Sequence, residues 1–316
     1  MIGRKQIVGG AGFLAAAAAG LFLPAWLISL LTIAFSNALV VLGLVLLWRA
    51  GLVSFGQALY YAIGAYSVAL FMRWTGITDA FLTVLIAGTM AGLTAFFVGF
   101  LLARYREIFF AMLSLALSMI LYGVLVKTEA LGSTDGFNVA LPTFLGYAPH
   151  GFKLTIALYW YALALGAVAA MLMSAYLRSV AGSLAVPVRD NEIRVEYLGV
   201  SATRLIHLKL VIAGILGGVG GGVGAMAISH VDPAMSYWTA SGGFVFITIL
   251  AGASSVAAAF VGSVVFELAR TTAVALLPGA WQLILGSVLL LTILFLPDGL
   301  GSLFMRRRRF ARETAQ

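Results

Sequence analysis

The residues equipped for chemistry gather in one short stretch. Eight of the thirty charged residues lie between positions 178 and 209: Arg178, Arg189, Asp190, Glu192, Arg194, Glu196, Arg204 and Lys209. So dense a run of charge belongs in water. From Asp190 the spacing predicts a short helix, with Ile193 and Tyr197 four apart, Leu198 adjoining, charges elsewhere and Gly199 as the stop. Such a helix can lie on a lipid surface as a turn between spans, or plug into a groove on another protein. Its mixed signs weaken the lipid reading, because lipid-surface helices are usually strongly basic.

Other chemistry is sparse. Cysteine is absent, which removes disulfides, thiolate metal sites and cysteine nucleophiles. The histidines are His150, His207 and His230, and no pair has the spacing of a metal-binding helix. None of the four lysines follows a glycine, so there is no phosphate-binding G-x-x-x-x-G-K-[ST] loop, and ATP, if used, is hydrolysed on another chain. Gly220, Gly222 and Ala225 imitate a dinucleotide signature, but that signature needs a preceding strand and a soluble fold. Gly214, Gly218 and Gly222, at four-residue spacing, instead predict close helix packing. We expect no catalytic residues, no metal and no cofactor.

Two polar stripes interrupt the apolar sequence. Ser54, Phe55, Gly56 and Gln57 fit a capping box that would start a helix at Ser54, with Gln57, Tyr61 and Gly64 on one face beyond it. Ser114, Ser118 and Tyr122 align at four-residue spacing. Such stripes line a translocation path or bond neighbouring helices, and the pattern is compatible with both. Glu267 and Arg270 are the intramembrane charges, one turn apart, which suits a structural ion pair better than a proton relay.

The elements that position these groups follow from composition. Hydrophobic residues make up 62% of the 316-residue chain and charged residues 9%, too little charge for a water-soluble surface. Breaks at charge, Gly and Pro leave apolar segments near 8–34, 36–48, 54–72, 80–103, 108–126, 154–177, 210–229, 242–252, 255–272 and 279–297. The expectation is an all-α, polytopic membrane bundle of about ten transmembrane segments forming one domain over 1–316. An inner loop spans 178–209, an outer loop 127–153 and a basic tail 298–316. Arg4 and Lys5 before an apolar run have a signal-peptide layout, but the run continues past Pro24 to Phe35 and reads as a retained first span.

The net charge of +8 is concentrated in Arg306, Arg307, Arg308 and Arg309, directly after an apolar segment, which marks an orientation signal and not a nucleic-acid surface. With basic loops inside, ten crossings put both termini in the cytoplasm. That count requires 242–272 to be two half-helices turning at Gly252, Ala253 and Ser254. A similar break falls at Trp48, Arg49, Ala50 and Gly51. The stretches "RAGLVSFGQALYYAIGAY" (49–66) and "LAGASSVAAAFVGSVVF" (250–266) can be laid against each other, a possible internal repeat or two independent glycine breaks.

"VPVRDNEIRVEYLGVSATRLIHLKLVIAGILGGVGGG" (186–222) resembles the coupling loop and following span of branched-chain amino acid ABC transporter permeases of the LivM type. "GLVSFGQALYYAIGAY" (51–66), "ARYREIFFAMLSLALSMIL" (103–121) and "GSTDGFN" (132–138) extend the resemblance, in that family's order, over roughly residues 35–300. It implies ATP-powered import of hydrophobic amino acids or similar small solutes across a bacterial inner membrane. Arg189, Asp190, Asn191, Glu192, Arg194, Glu196, Leu198 and Gly199 would face an ATPase subunit. A second, LivH-like permease chain and a periplasmic or extracellular solute-binding protein would complete the system in the lipid bilayer. The departures are "PVRDNE" in place of a longer basic approach, bulky Tyr197, and no strict Glu-Ala-Ala coupling motif. The competing class is an ion-coupled carrier, for which Glu267 is the candidate carboxylate; a membrane-embedded enzyme finds no acid, base or nucleophile cluster.

Overall fold

The computed structural model describes Phe13, Gly20 and residues 23–253, 255–295 and 299–301. Arg4, Lys5, most of the apolar run before residue 23, Ser254 and the arginine tail lie outside the described residues. Long uninterrupted runs of Leu, Val, Ala, Ile and Phe become helices because in lipid every backbone amide must find a partner within its own segment. Among the described residues these are α1 (Ala25–Arg49), α2 (Gln57–Thr75), α3 (Ala80–Leu102), α4 (Glu107–Lys127) and α5 (Phe152–Tyr176). Three short helices follow, α6 (Val180–Ser183), α7 (Ala185–Asp190) and α8 (Glu192–Tyr197). The chain then returns through α9 (Ala202–Ile228), α10 (Trp238–Ala251), α11 (Val256–Leu276) and α12 (Trp281–Phe295). Six of these, α1, α3, α4, α5, α9 and α11, are long and apolar enough to span a membrane, with α10 and α12 as shorter apolar helices.

Several expected boundaries move. The break placed between 34 and 36 is absent, and α1 runs unbroken from Ala25 behind Pro24. Proline removes a helix donor and disfavours helix in the residue before it, so it marks the true start. Ser36 and Asn37 are not an end but interhelical contacts: Ser36 Oγ donates to the Gly220 carbonyl at 2.7 Å, and Asn37 Nδ2 lies 3.4 Å from Glu267 Oε2. The inner loop closes at Ser201, whose hydroxyl caps α9 by accepting from Arg204 N. Lys209 therefore sits in α9 and is 0% exposed, with Nζ donating to the Ala181 carbonyl at 2.9 Å and lying over the Tyr176 ring. α10 begins at Trp238, four residues ahead of its expected start. A two-residue antiparallel pair, Phe137–Asn138 against His230–Val231, is a small addition to the all-α plan.

Contacts between turns sort the molecule into two ends. At one end Arg49 Nε donates to the Ala253 carbonyl at 2.9 Å, Arg106 pairs with Glu192, and Leu300 N donates to the Leu250 carbonyl at 2.8 Å. Here also stand Arg104, Arg178, Arg189, Arg194 and Arg204, making this the basic end. At the other end the outer loop folds over the turns: Ala80 N donates to the Thr143 carbonyl, Leu145 N to Asp79 Oδ2, and Asn138 Oδ1 meets His230 Nδ1 at 3.0 Å.

α9 is the axis of the bundle, packing on α1, α2 and α3. Its glycines allow this. Gly214 meets Ala95, Gly218 meets Ala91 and the backbone of Gly64, and Gly222 meets Ala87 and Val68, so a side chain at Gly64 or Gly218 would enter the facing helix.

Candidate functional site

Two of the helix breaks at the basic end lie between α1 and α2 and between α10 and α11. Both breaks contain an Ala-Gly step, with φ of +79° at Gly51 and +75° at Gly252, a region that side chains resist. The two stretches laid together by sequence thus share a local device, although the first is flanked by a 25-residue and a 19-residue helix, not by half-helices. The 14-residue α10 is the one short arm.

The first break is lined by serines. The capping box does not form: α2 starts at Gln57 behind Gly56, and Ser54 Oγ accepts instead from Gly56 N at 3.2 Å. Phe55 N donates to Ser114 Oγ at 3.1 Å, and Ala58 N to Ser241 Oγ at 3.2 Å. Ser54, Gln57, Ser114 and Ser241 are all buried, so one polar patch is assembled from α2, α4 and α10. Tyr61, one turn above Gln57, sets its hydroxyl against Gly224 beside the Ser36 hydroxyl, and its carbonyl lies against Gly221. Ser118 donates to the Ser236 carbonyl at 2.8 Å and the Tyr122 ring packs tilted against Tyr237 with centroids 4.8 Å apart, so the rest of the α4 stripe meets the turn before α10. Sequence reasoning missed Ser36 and Ser241. Each is a lone serine in an apolar run, and its partner is 184 or 183 residues away.

The inner loop covers this break from the basic end. Asn191 caps α8, its Oδ1 accepting from Arg194 N at 2.9 Å, while Asp190 ends the preceding α7 and lies 3.5 Å from Arg189. Glu192 is ion-paired to Arg106, which also donates to the carbonyls of Ala103 and Tyr105. Arg189 lays its stem against Gly51, where a Cβ would come within 2.7 Å of its Cγ. Val188 and Val195 are buried in a cluster with Leu47, Leu52, Phe110 and Leu205, so the loop is seated on α1, α4 and α9. Arg194, Glu196 and Gly199 stay exposed. Ile193, Tyr197 and Leu198 project outward, Tyr197 being 89% exposed, and form an apolar surface at the end of the molecule richest in charge.

Glu267 is buried and engaged from two sides, with Arg270 3.4 Å from Oε1 and Asn37 3.4 Å from Oε2. Arg270 also lies over the Trp281 ring. Among the described residues no group of His, Cys, Asp and Glu is arranged to hold a metal ion.

A bundle of apolar helices, interrupted at one end and lined there by buried Ser54, Gln57, Ser114 and Ser241, is the build of a multi-pass membrane transport protein. The chain belongs to the family described as branched-chain amino acid transport system / permease component, which matches residues 26–294. It is similar to the high-affinity branched-chain amino acid transport system permease protein LivM of Escherichia coli (strain K12), 28% identical over 287 residues that cover 83% of this chain and 67% of that protein. The LivM protein of Salmonella typhimurium (strain LT2) is 27% identical over 289 residues, with the same coverage of 83% and 67%. No solved structure matches the chain.

Proposed function

We propose that this chain is the transmembrane subunit of an ABC importer, moving branched-chain or other hydrophobic amino acids, or similar small solutes, by ATP-driven alternating access. The basic end faces the cytoplasm, where arginine-rich turns are retained during insertion. ATP is hydrolysed by separate subunits that dock on the inner loop through Arg189, Asp190, Asn191, Glu192, Arg194, Glu196, Leu198 and Gly199. A second permease chain and an external solute-binding protein complete the system. The chain itself performs no chemistry on the solute.

One observation carries this reading. The exposed apolar surface of Ile193, Tyr197 and Leu198 stands on a short helix that is pinned to the bundle by Glu192–Arg106 and adjoins Arg189 on Gly51. A force applied to that surface by a nucleotide-driven partner reaches the first helix break within a few side chains. Ser54, Gln57, Tyr61, Ser114, Ser118 and Tyr122 then serve as the path that this break opens. The ion-coupled alternative lacks a free carboxylate at Glu267, which is held by Arg270 and Asn37.

The test is the double substitution Glu192→Lys with Glu196→Lys. It breaks the pair with Arg106 and reverses the loop's acidic charge, weakening docking by about 2 kcal/mol or more, roughly thirtyfold. Uptake and co-purification of the ATPase should both fall while the chain still inserts in the membrane. Normal uptake with the ATPase still bound would remove the coupling role.

A further inference from the structure

Among the buried polar atoms without a hydrogen-bond partner, Gln57 stands apart, because both ends of its amide, Oε1 and Nε2, are unpartnered and the residue is 0% exposed. The deficit is local to the side chain. The neighbouring main-chain amides of Phe55, Gly56 and Ala58 are served by Ser114, Ser54 and Ser241. Tyr60, three residues on, also buries a hydroxyl without a partner. An apolar residue of similar size would avoid the desolvation penalty of the two unpaired groups. The amide therefore points to a partner that arrives in another state of the molecule.

Gln57 is hidden at the seam between α2 and α9. Across from Gln57, Tyr60, Tyr61 and Gly64, α9 presents Gly217, Gly218 and Gly221, so the two helices meet largely backbone to backbone. Gln57 Oε1 lies against Gly217, where a Cβ would sit 3.3 Å away. Separation of α2 from α9 withdraws the Tyr60 and Tyr61 rings from α9 and uncovers an amide at the N-terminal, positive end of a 19-residue helix.

We infer that Gln57 is the contact that holds the polar head group of the amino acid proposed above as the solute. The inference rests on the permease reading above. A primary amide offers two donors on nitrogen and an acceptor on oxygen a fixed distance apart. Nε2 donates to the carboxylate, which the helix terminus also favours, and Oε1 accepts from the α-ammonium. The aliphatic part of the solute needs no polar partner.

The experiment uses the complete importer in proteoliposomes, with radiolabelled leucine as the probe, comparing wild type with Gln57→Leu and Gln57→Glu. Gln57→Leu removes every hydrogen bond at similar volume; it should leave assembly and melting midpoint unchanged or higher while ATP-driven leucine uptake falls roughly tenfold or more, the worth of a hydrogen bond to a charged group. Gln57→Glu sets a carboxylate against the solute's own and should lower uptake at least as far. Uptake by Gln57→Leu equal to wild type overturns the inference and leaves the permease reading standing. Loss of uptake together with a lowered melting midpoint or failed assembly also overturns it, assigning Gln57 to a structural water. A wild-type complex that takes up no leucine removes the amino acid importer reading itself, and the inference with it.

Discussion

The two helix breaks at the basic end share an Ala-Gly step and a glycine at positive φ, yet their hydrogen bonds are supplied in opposite ways. Among the described residues the second serves its own amides: Ser255 caps its own helix by accepting from Ala258 N at 3.2 Å, and Gly252 N returns to the Thr248 carbonyl at 2.8 Å, while the Leu250 and Ala253 carbonyls accept from Leu300 and Arg49. The first depends on its neighbours, since two of its amides donate to serines of α4 and α10. A break that closes its own bonds stays intact when the helices around it move. A break that borrows acceptors is remade whenever they do. Arg49 joins the two through the Ala253 carbonyl, so the break that serves its own amides is the anchor and the borrowed one the joint.

The largest effect expected from this contrast comes from removing both borrowed acceptors. Ser114→Ala with Ser241→Ala leaves the Phe55 and Ala58 amides without a partner in a low-dielectric interior, at about 1–3 kcal/mol each. The melting midpoint of the detergent-solubilised chain should fall by several degrees, with uptake lost in step. An unchanged midpoint would mean that the first break does not rely on α4 and α10, and the distinction between the breaks would collapse.

Alanine at each glycine sharpens the comparison. Gly252, at φ +75° and ψ 158°, occupies a region essentially closed to side chains, so Gly252→Ala should cost about 1–3 kcal/mol. Gly51→Ala meets a left-handed penalty of about 1–2 kcal/mol. There the new methyl also presses on the Arg189 stem, which is flexible enough to swing aside. The two should therefore separate by readout: Gly252→Ala lowers the melting midpoint more, while Gly51→Ala lowers ATP-driven uptake more, because it displaces the inner loop from the joint. Equal losses in both assays would show that the loop drives neither break in particular.

The helical bundle and both breaks were legible in the sequence because each rests on local signals: long apolar runs, and Arg49-Ala50-Gly51 or Gly252 interrupting them. What escaped depended on distant partners. Ser36 and Asn37 look like the end of a span until Gly220 and Glu267 arrive from α9 and α11 to bond them. Lys209 looks like a loop charge until the Ala181 carbonyl and the Tyr176 ring enclose it. Ser54 fits a capping box by spacing, but Ser114 takes the Phe55 amide and the helix starts three residues later. Ser241 gave no signal at all, since a serine in a membrane segment ordinarily bonds its own helix. The inner loop could be read as a surface helix, but its seat on Gly51 could not, because spacing along a chain carries no information about what lies beneath a turn.

The smallest effect belongs to the anchor. Ser255→Ala removes one N-cap, worth about 1 kcal/mol, and Ser255 is only half-buried, so water at the basic end can replace the lost acceptor. The melting midpoint should fall only slightly, and ATP-driven uptake should stay near wild type, because Arg49 and Leu300 still fasten 250–253 in place. If uptake instead falls as far as in the Ser114→Ala, Ser241→Ala chain, the second break is moving with each transport cycle. The two interruptions would then be working parts of equal standing, and the solute path would have to be sought between them and not along α2 alone.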